Sequence, residues 1–114
     1  MNYGFTVVDK FGRPVTLDHS NRERHLLKRP DLAPYHHLVP IVLRDPDLVN
    51  ESARDGHYHF FRWRLTAPPH EHCAIRVVVQ YFDQGTRGKV MTAWLSSSVA
   101  PLGIIRWMRL PPRS

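Results

Sequence analysis

The clearest alternation of hydrophobic and polar positions lies in residues 73–95, CAIRVVVQYFDQGTRGKVMTAWL. Two runs rich in β-branched and aromatic residues flank the polar, glycine-containing segment 83–88. The first run alternates with a period of two and carries Val78 and Phe82 on its second side, so both sides are apolar enough to be buried. The pattern predicts a β-hairpin whose first strand lies in the centre of a sheet.

The second strand of this hairpin places Val90, Thr92 and Trp94 on one face. A hydroxyl that is held on a rigid strand can be aimed at a ligand, so Thr92 is a candidate site residue. Threonine is also a good β-former, and a purely structural role for Thr92 stays open at this point.

Residues 57–65, HYHFFRWRL, predict another strand. Because side chains alternate along a strand, His59 falls on one face, whereas Tyr58 and Arg62 fall on the other. An arginine in such a run either marks a wet edge or lines a concave anion site.

Two helices are predicted in the first half of the chain. The first covers about residues 20–29 and ends at Pro30, and the second covers about residues 31–43. Pro40 lies inside the second segment, so it predicts either a kink or a late helix start that makes it a first-turn residue.

The remaining segments complete a single domain of 114 residues. Residues 5–9 and 14–17 bracket Gly12 and predict a small hairpin. The tail, residues 99–114, is either a final strand or a partner-binding segment. The order of elements predicts an α+β domain, in which the N-terminal hairpin and two helices pack on a four-stranded antiparallel sheet.

The first predicted helix carries a cluster of cations. Helical spacing brings these side chains together, and their repulsion favours a bound anion such as phosphate. A solvated surface that Glu23 and Asp31 partly neutralise is the alternative. The members of the cluster are Arg22, Arg24, His25, Lys28 and Arg29.

The overall charge also favours an anionic partner. The 16 lysines and arginines outnumber the 10 acidic residues and give a net charge of +6. Nucleic acid is the commonest anionic partner of a small basic domain. No apolar stretch is long enough to span a bilayer and no secretion signal is present, so the expectation is a soluble protein without membrane contact, either cytoplasmic or a module of something larger.

The composition argues against a metal or another cofactor. A single cysteine, Cys73, excludes an internal disulfide and a thiolate-rich zinc site. His70 and His72 could form a ligand pair, but they lie in a proline-rich loop without a third ligand. No Gly-rich phosphate loop or cofactor fingerprint is present.

Several segments, taken in order, resemble the phage-type members of the superfamily that groups barnase, EndoU, colicin-type and RelE-like ribonucleases, the BECR fold. They are FGRPVTL, KRPDL, IVLRDPDLV, YHFFRW, IRVVVQY and KVMTAWL, within about residues 11–95. The resemblance implies a metal-independent endoribonuclease, often a toxin, that acts on RNA and is controlled by an antitoxin or immunity protein.

Two of the candidate site residues, Thr92 and Arg29, stand at positions of the family's pattern. Thr92, followed by Ala93 and Trp94, matches the Thr-Ala-aromatic end of the family's last core strand. Arg29 stands before Pro30 where the family pattern has a histidine, and arginine does not exchange a proton near neutral pH. His25, one helical turn earlier, is the substitute.

The sequence therefore predicts RNA cleavage by attack of the 2′-hydroxyl on the adjacent phosphate. The alternatives are a non-catalytic nucleic-acid- or protein-binding module with the same sheet, and a self-associating or antitoxin-binding domain that uses the apolar tail. The catalytic candidates are His25, with His59 second, Arg29 and Thr92. The candidates for RNA or phosphate binding are Arg22, Arg24, Lys28, Tyr58 and Arg62.

Overall fold

The computed structural model describes residues 5–18, 24, 28–98 and 103–109, which form one mixed sheet of seven strands. The strands lie in the order β1-β2-β6-β5-β4-β3-β7. Only β2 and β6 run parallel, and every other pair is antiparallel. The strands are β1 (Phe5–Val8), β2 (Pro14–Leu17), β3 (Leu48–Ser52), β4 (Tyr58–Arg62), β5 (Ala74–Phe82), β6 (Arg87–Ser96) and β7 (Gly103–Met108).

The central hairpin is confirmed. β5 pairs with β6 along its whole length and is the fourth of the seven strands, and its first six residues are buried on both faces. The turn uses left-handed backbone at Asp83, Gln84 and Gly85, with φ of 52°, 58° and 84°. Gly88 belongs to β6 rather than to the turn. A Cβ atom there would lie 2.8 Å from Val79 Cγ1, so this close approach favours glycine.

The predicted four-stranded sheet is wrong. The N-terminal hairpin forms as expected, but its second strand joins the sheet through the pairs Val15–Gly88 and Thr16–Lys89. At the other end, β7 pairs with β3. A strand edge leaves backbone N–H and C=O groups unpaired. Both short additions satisfy such groups on β6 and β3 instead of packing on top of the sheet.

The predicted pair of helices is also wrong for the described residues. Between residues 30 and 44 the chain forms a 3-10 helix (Pro30–Leu38) and then one short α-helix, α1 (Val39–Arg44). Pro34 and Pro40 lack the N–H that a continuous α-helix needs. Pro40 is in the first turn of α1, so the late-start alternative is correct. The first predicted helix lies mostly outside the described residues; Arg24 and Lys28 have helical backbone.

The main core lies between the sheet and the two helical segments. Alternate residues of the strands face α1 and the 3-10 helix, and burying them supplies most of the free energy that holds the helices on the sheet. No helix of the described ranges is long and apolar enough to cross a membrane. The buried core residues are Val15, Leu17, Leu32, Val39, Val42, Leu43, Val49, Phe60, Ile75, Val77, Val79, Val90 and Ala93.

The tail contains a strand, so the final-strand alternative holds for residues 103–108. Ion pairs connect β7 and the residue that follows it, Arg109, to acidic residues in and next to β3. Arg106 binds Glu51, and Arg109 Nε donates to Asp47 Oδ1 at 2.7 Å. Trp107 packs against the main core.

Candidate anion site on the second face of the sheet

The strand pairing aligns two rows of residues on the face of the sheet that is turned away from α1, called here the second face. In one row Asn50, His59, Val78 and Thr92 are successive partners across β3, β4, β5 and β6. The neighbouring row contains Leu48, Phe61, Arg76 and Trp94. Residues that are direct partners on one face have Cβ atoms about 5 Å apart, so these side chains form one contiguous surface.

Arg76 lies at the centre of this surface. The residue is 7% exposed, and its guanidinium carbon lies 4.7 Å from the ring centres of both Phe61 and Trp94. Its Nε donates a hydrogen bond of 3.1 Å to His59 Nδ1. Burial lowers the pKa of Arg76.

Arg76 lacks a counter-ion within the described part of the chain. The carboxylates that form ion pairs there bind other basic residues, such as Arg13, Arg62 and Arg106. A buried charge is costly unless it is paired, and rings on both sides recover only part of the lost hydration. The arrangement therefore suits an incoming anion.

His59 is held in its neutral form by its surroundings. Burial, and secondarily the charge of Arg76, lower the pKa of His59 from 6.5 to about 4. Because Nδ1 accepts from Arg76, the single proton of the neutral ring is on Nε2. His59 can thus donate a hydrogen bond to a ligand, but it does not accept a proton near neutral pH.

Arg29 reaches the same surface from the start of the 3-10 helix. Its guanidinium carbon lies 5.4 Å from the ring centre of Trp94, on β6. Arg29 and Lys28 are exposed, whereas Thr92 and Trp94 are half-buried. The surface thus runs from the buried cation Arg76 to the exposed cation Arg29, and both contact the ring of Trp94.

Three of the candidates from the sequence, Arg29, His59 and Thr92, therefore meet on the second face. Tyr58 and Arg62 do not join them, because their side chains lie on the other face of β4 from that of His59. Tyr58 lies 4.9 Å from Tyr81, ring centre to ring centre, and Arg62 Nη1 donates to Asp45 Oδ2 at 2.7 Å.

The candidates of the cationic helix are placed only in part. Arg22 and His25 lie outside the described residues. Arg24 and Lys28 are exposed and helical.

Sequence reasoning missed Arg76, Trp94 and Asn50 as site residues. A signal was available for Arg76, because an arginine within the apolar run IRVVVQY of a strand buried on both faces must find an unusual environment. Asn50 gave no comparable signal, since a single asparagine among the polar residues that follow Leu48 and Val49 is ordinary.

The described ranges contain no cluster of three or more His, Cys, Asp and Glu side chains that could hold a metal ion. The ring of His70 contacts Tyr35, with ring centres 6.3 Å apart. Comparison with protein-family models, with curated proteins and with solved structures finds no match to this chain.

The neutral state of His59 makes stability depend on pH. The unfolded chain binds a proton at this residue below pH 6.5, whereas the folded chain does so only below about pH 4. The contribution of His59 is therefore complete above pH 6.5 and is lost as the pH falls to about 4, by up to about 3 kcal/mol. This contribution is measured by urea unfolding of the wild type and of His59→Gln at several pH values. The glutamine keeps a hydrogen-bond acceptor for Arg76. Equal losses of free energy in both proteins between pH 7 and pH 4 would contradict the assignment.

Proposed function

We propose that the chain is a metal-independent endoribonuclease that binds RNA on the second face and cleaves it by attack of a 2′-hydroxyl on the adjacent phosphate. One observation carries the proposal. A buried arginine without a carboxylate partner among the described residues, Arg76, lies beside Arg29, His59 and Thr92. The family resemblance independently points to Thr92 and to the position of Arg29, although the family pattern has a histidine there.

The basic residues have distinct roles in the proposed site. Arg76 and Arg29 hold the oxygens of the scissile phosphate, because guanidinium groups bind phosphate with two parallel hydrogen bonds. His59 donates from Nε2 to a phosphate oxygen, and the Thr92 hydroxyl orients another. The aromatic ring of Trp94 keeps both guanidinium groups in place, since each contacts it. Arg22, Arg24 and Lys28 extend the binding surface along the RNA backbone.

The reaction needs a base, an acid and stabilisation of negative charge. A base takes the proton of the 2′-hydroxyl, and the oxygen attacks phosphorus while the bond between phosphorus and the 5′-oxygen breaks. The departing 5′-oxygen takes up a proton from the acid or from water. The products are a 2′,3′-cyclic phosphate and a 5′-hydroxyl. Because His59 is held neutral with its proton on Nε2, we assign the proton transfer to His25. Arg76 and Arg29 stabilise the charge that builds up on the phosphate oxygens.

Tyr58 and Arg62 are not assigned to the cleavage site, because they lie on the opposite side of the sheet. The resemblance also implies a toxin-like role and a protein partner of the antitoxin or immunity type. Such a partner would block the reaction by covering the second face.

A second candidate is a non-catalytic RNA-binding module. One observation favours it: Arg29 and His59, the two candidates that lie beside Arg76 on the second face, offer no group that exchanges a proton near neutral pH. Arg29 replaces the expected histidine, and the pKa of His59 is lowered to about 4. Both candidates require the same anion site, and they differ only in chemistry.

The two functions are separated by incubating the purified protein with end-labelled RNA in excess chelator. The nuclease proposal expects fragments that end in a 2′,3′-cyclic phosphate, and no cleavage of the same sequence with 2′-deoxyribose at every position. Binding without cleavage supports the module instead. Cleavage of the deoxyribose substrate would overturn the proposed mechanism, because that substrate has no nucleophile of its own.

A further inference from the structure

Asn50 carries an unsatisfied hydrogen-bond acceptor next to the anion site. It lies on β3, is 5% exposed, and its Oδ1 accepts no hydrogen bond from any described residue. Most buried polar atoms in proteins are paired, and an unpaired acceptor destabilises the fold. A position that tolerates this cost suggests that a ligand supplies the missing donor.

The register places Asn50 beside the proposed phosphate site. Its neighbour Val49 is in the main core, so the side chain of Asn50 is on the second face. There Asn50 is the direct partner of His59, whose Nδ1 is bonded to Arg76. A phosphate at Arg76 would thus lie within one nucleotide's length of Asn50 Oδ1.

A ribose hydroxyl fits this acceptor best. At 5% exposure the side chain admits a small donor more readily than the edge of a base. Each nucleotide of RNA carries such a donor close to its phosphate, and DNA lacks it. A site that is built to bond a hydroxyl rejects an analogue without one, because its own buried polar atom then stays unpaired.

We propose that Asn50 Oδ1 accepts a hydrogen bond from a ribose 2′-hydroxyl next to the bound phosphate, and that it makes the site prefer RNA over DNA. The inference rests on the proposed function. The hydroxyl belongs to a nucleotide that flanks the scissile phosphate and is not the nucleophile, whose proton goes to the base. Asn50 is therefore a specificity-determining residue with no part in proton transfer.

The test compares the dissociation constants of RNA and DNA of one sequence for the wild type and for Asn50→Leu. The wild type should prefer RNA. The variant should bind RNA about 10-fold more weakly, the size of one hydrogen bond, and DNA as the wild type does. Gln80→Leu, which removes a half-buried amide from the second face on β5, is the matched control and should keep the preference.

Thermal unfolding provides a readout that a merely structural asparagine would not give. Removing an unpaired buried acceptor in favour of an apolar group of similar size should raise Tm by about 4 °C. A lower Tm in Asn50→Leu would show that Oδ1 is satisfied in the free protein and would overturn the inference.

A substrate-side measurement works even if the variant does not fold. RNA with 2′-O-methyl groups keeps the oxygen and loses the donor, so the wild type should bind it as weakly as DNA. Equal affinity of the wild type for RNA and for the methylated RNA would overturn the inference. An unchanged preference of Asn50→Leu for RNA over DNA would overturn it as well. In both cases the proposed binding of RNA would be unaffected. Absence of any RNA binding by the wild type would instead remove the proposed function together with the inference.

Discussion

Replacing Arg76 with methionine is expected to weaken RNA binding by about 100-fold or more, because it removes the buried guanidinium around which the anion site is built. Methionine has a similar length and can still pack between Phe61 and Trp94. The loss of a buried charge offsets the loss of its hydrogen bond to His59, so Tm should change by only a few degrees. Fluorescence anisotropy with labelled RNA measures the affinity, and a salt titration should show a shallower slope for the variant.

Arg87→Met is the matched control for this prediction. Arg87 lies on β6 of the same hairpin, is exposed and is paired with Asp83. Both variants lose one positive charge, so an effect of net charge alone would weaken binding equally in the two. RNA affinity that survives in Arg76→Met would show that RNA does not bind at the second face.

Replacing His25 with alanine is expected to reduce the cleavage rate by about 100-fold or more, the usual size of a general acid-base contribution. RNA affinity should stay close to that of the wild type, because Arg29 and Arg76 remain. Single-turnover cleavage of labelled RNA in chelator, with affinity measured separately, distinguishes the two effects.

His72→Ala provides the reference for the loss of a histidine, because His72 is exposed in the loop between β4 and β5. It should cleave at the wild-type rate. Full activity of His25→Ala would mean that another group exchanges the proton. If neither the wild type nor any variant cleaves RNA that it binds, the non-catalytic module is the correct function.

The sequence predicts those parts of the fold that depend on local chemistry. The β5–β6 hairpin was predictable because alternation and a glycine-containing turn act over neighbouring residues. The number of strands was not, because the pairing of Val15 with Gly88 joins positions separated by more than half of the chain. In the helical region, the apolar residues suggested one continuous helix, but the N–H groups missing at Pro34 and Pro40 decided the outcome.

Some residues of the candidate site could likewise be predicted from the sequence, and others could not. Thr92 was found through its place on a predicted strand and Arg29 through its place in a cationic cluster, and the resemblance then drew attention to both positions. His59 was found through the chemistry of its side chain. Arg62 was selected from the same run as His59, although the alternation of β4 sends them to opposite sides of the sheet. Arg76 was overlooked although its place in an apolar run was a signal; that it has no carboxylate partner among the described residues is visible only in the tertiary structure.

The position of β5 in the middle of the sheet has a consequence for motion. β5 pairs with β6 along its whole length and with β4 over residues 75–79, so the amides of residues 75–79 should exchange hydrogen with water only when the whole domain unfolds. Arg76 is built on this least mobile strand, and its side chain loses its rotational freedom during folding rather than on binding. Anion binding at Arg76 should thus be fast and should need no slow rearrangement of β5. The exposed residues Lys28 and Arg29 would then adjust to the shape of the bound RNA.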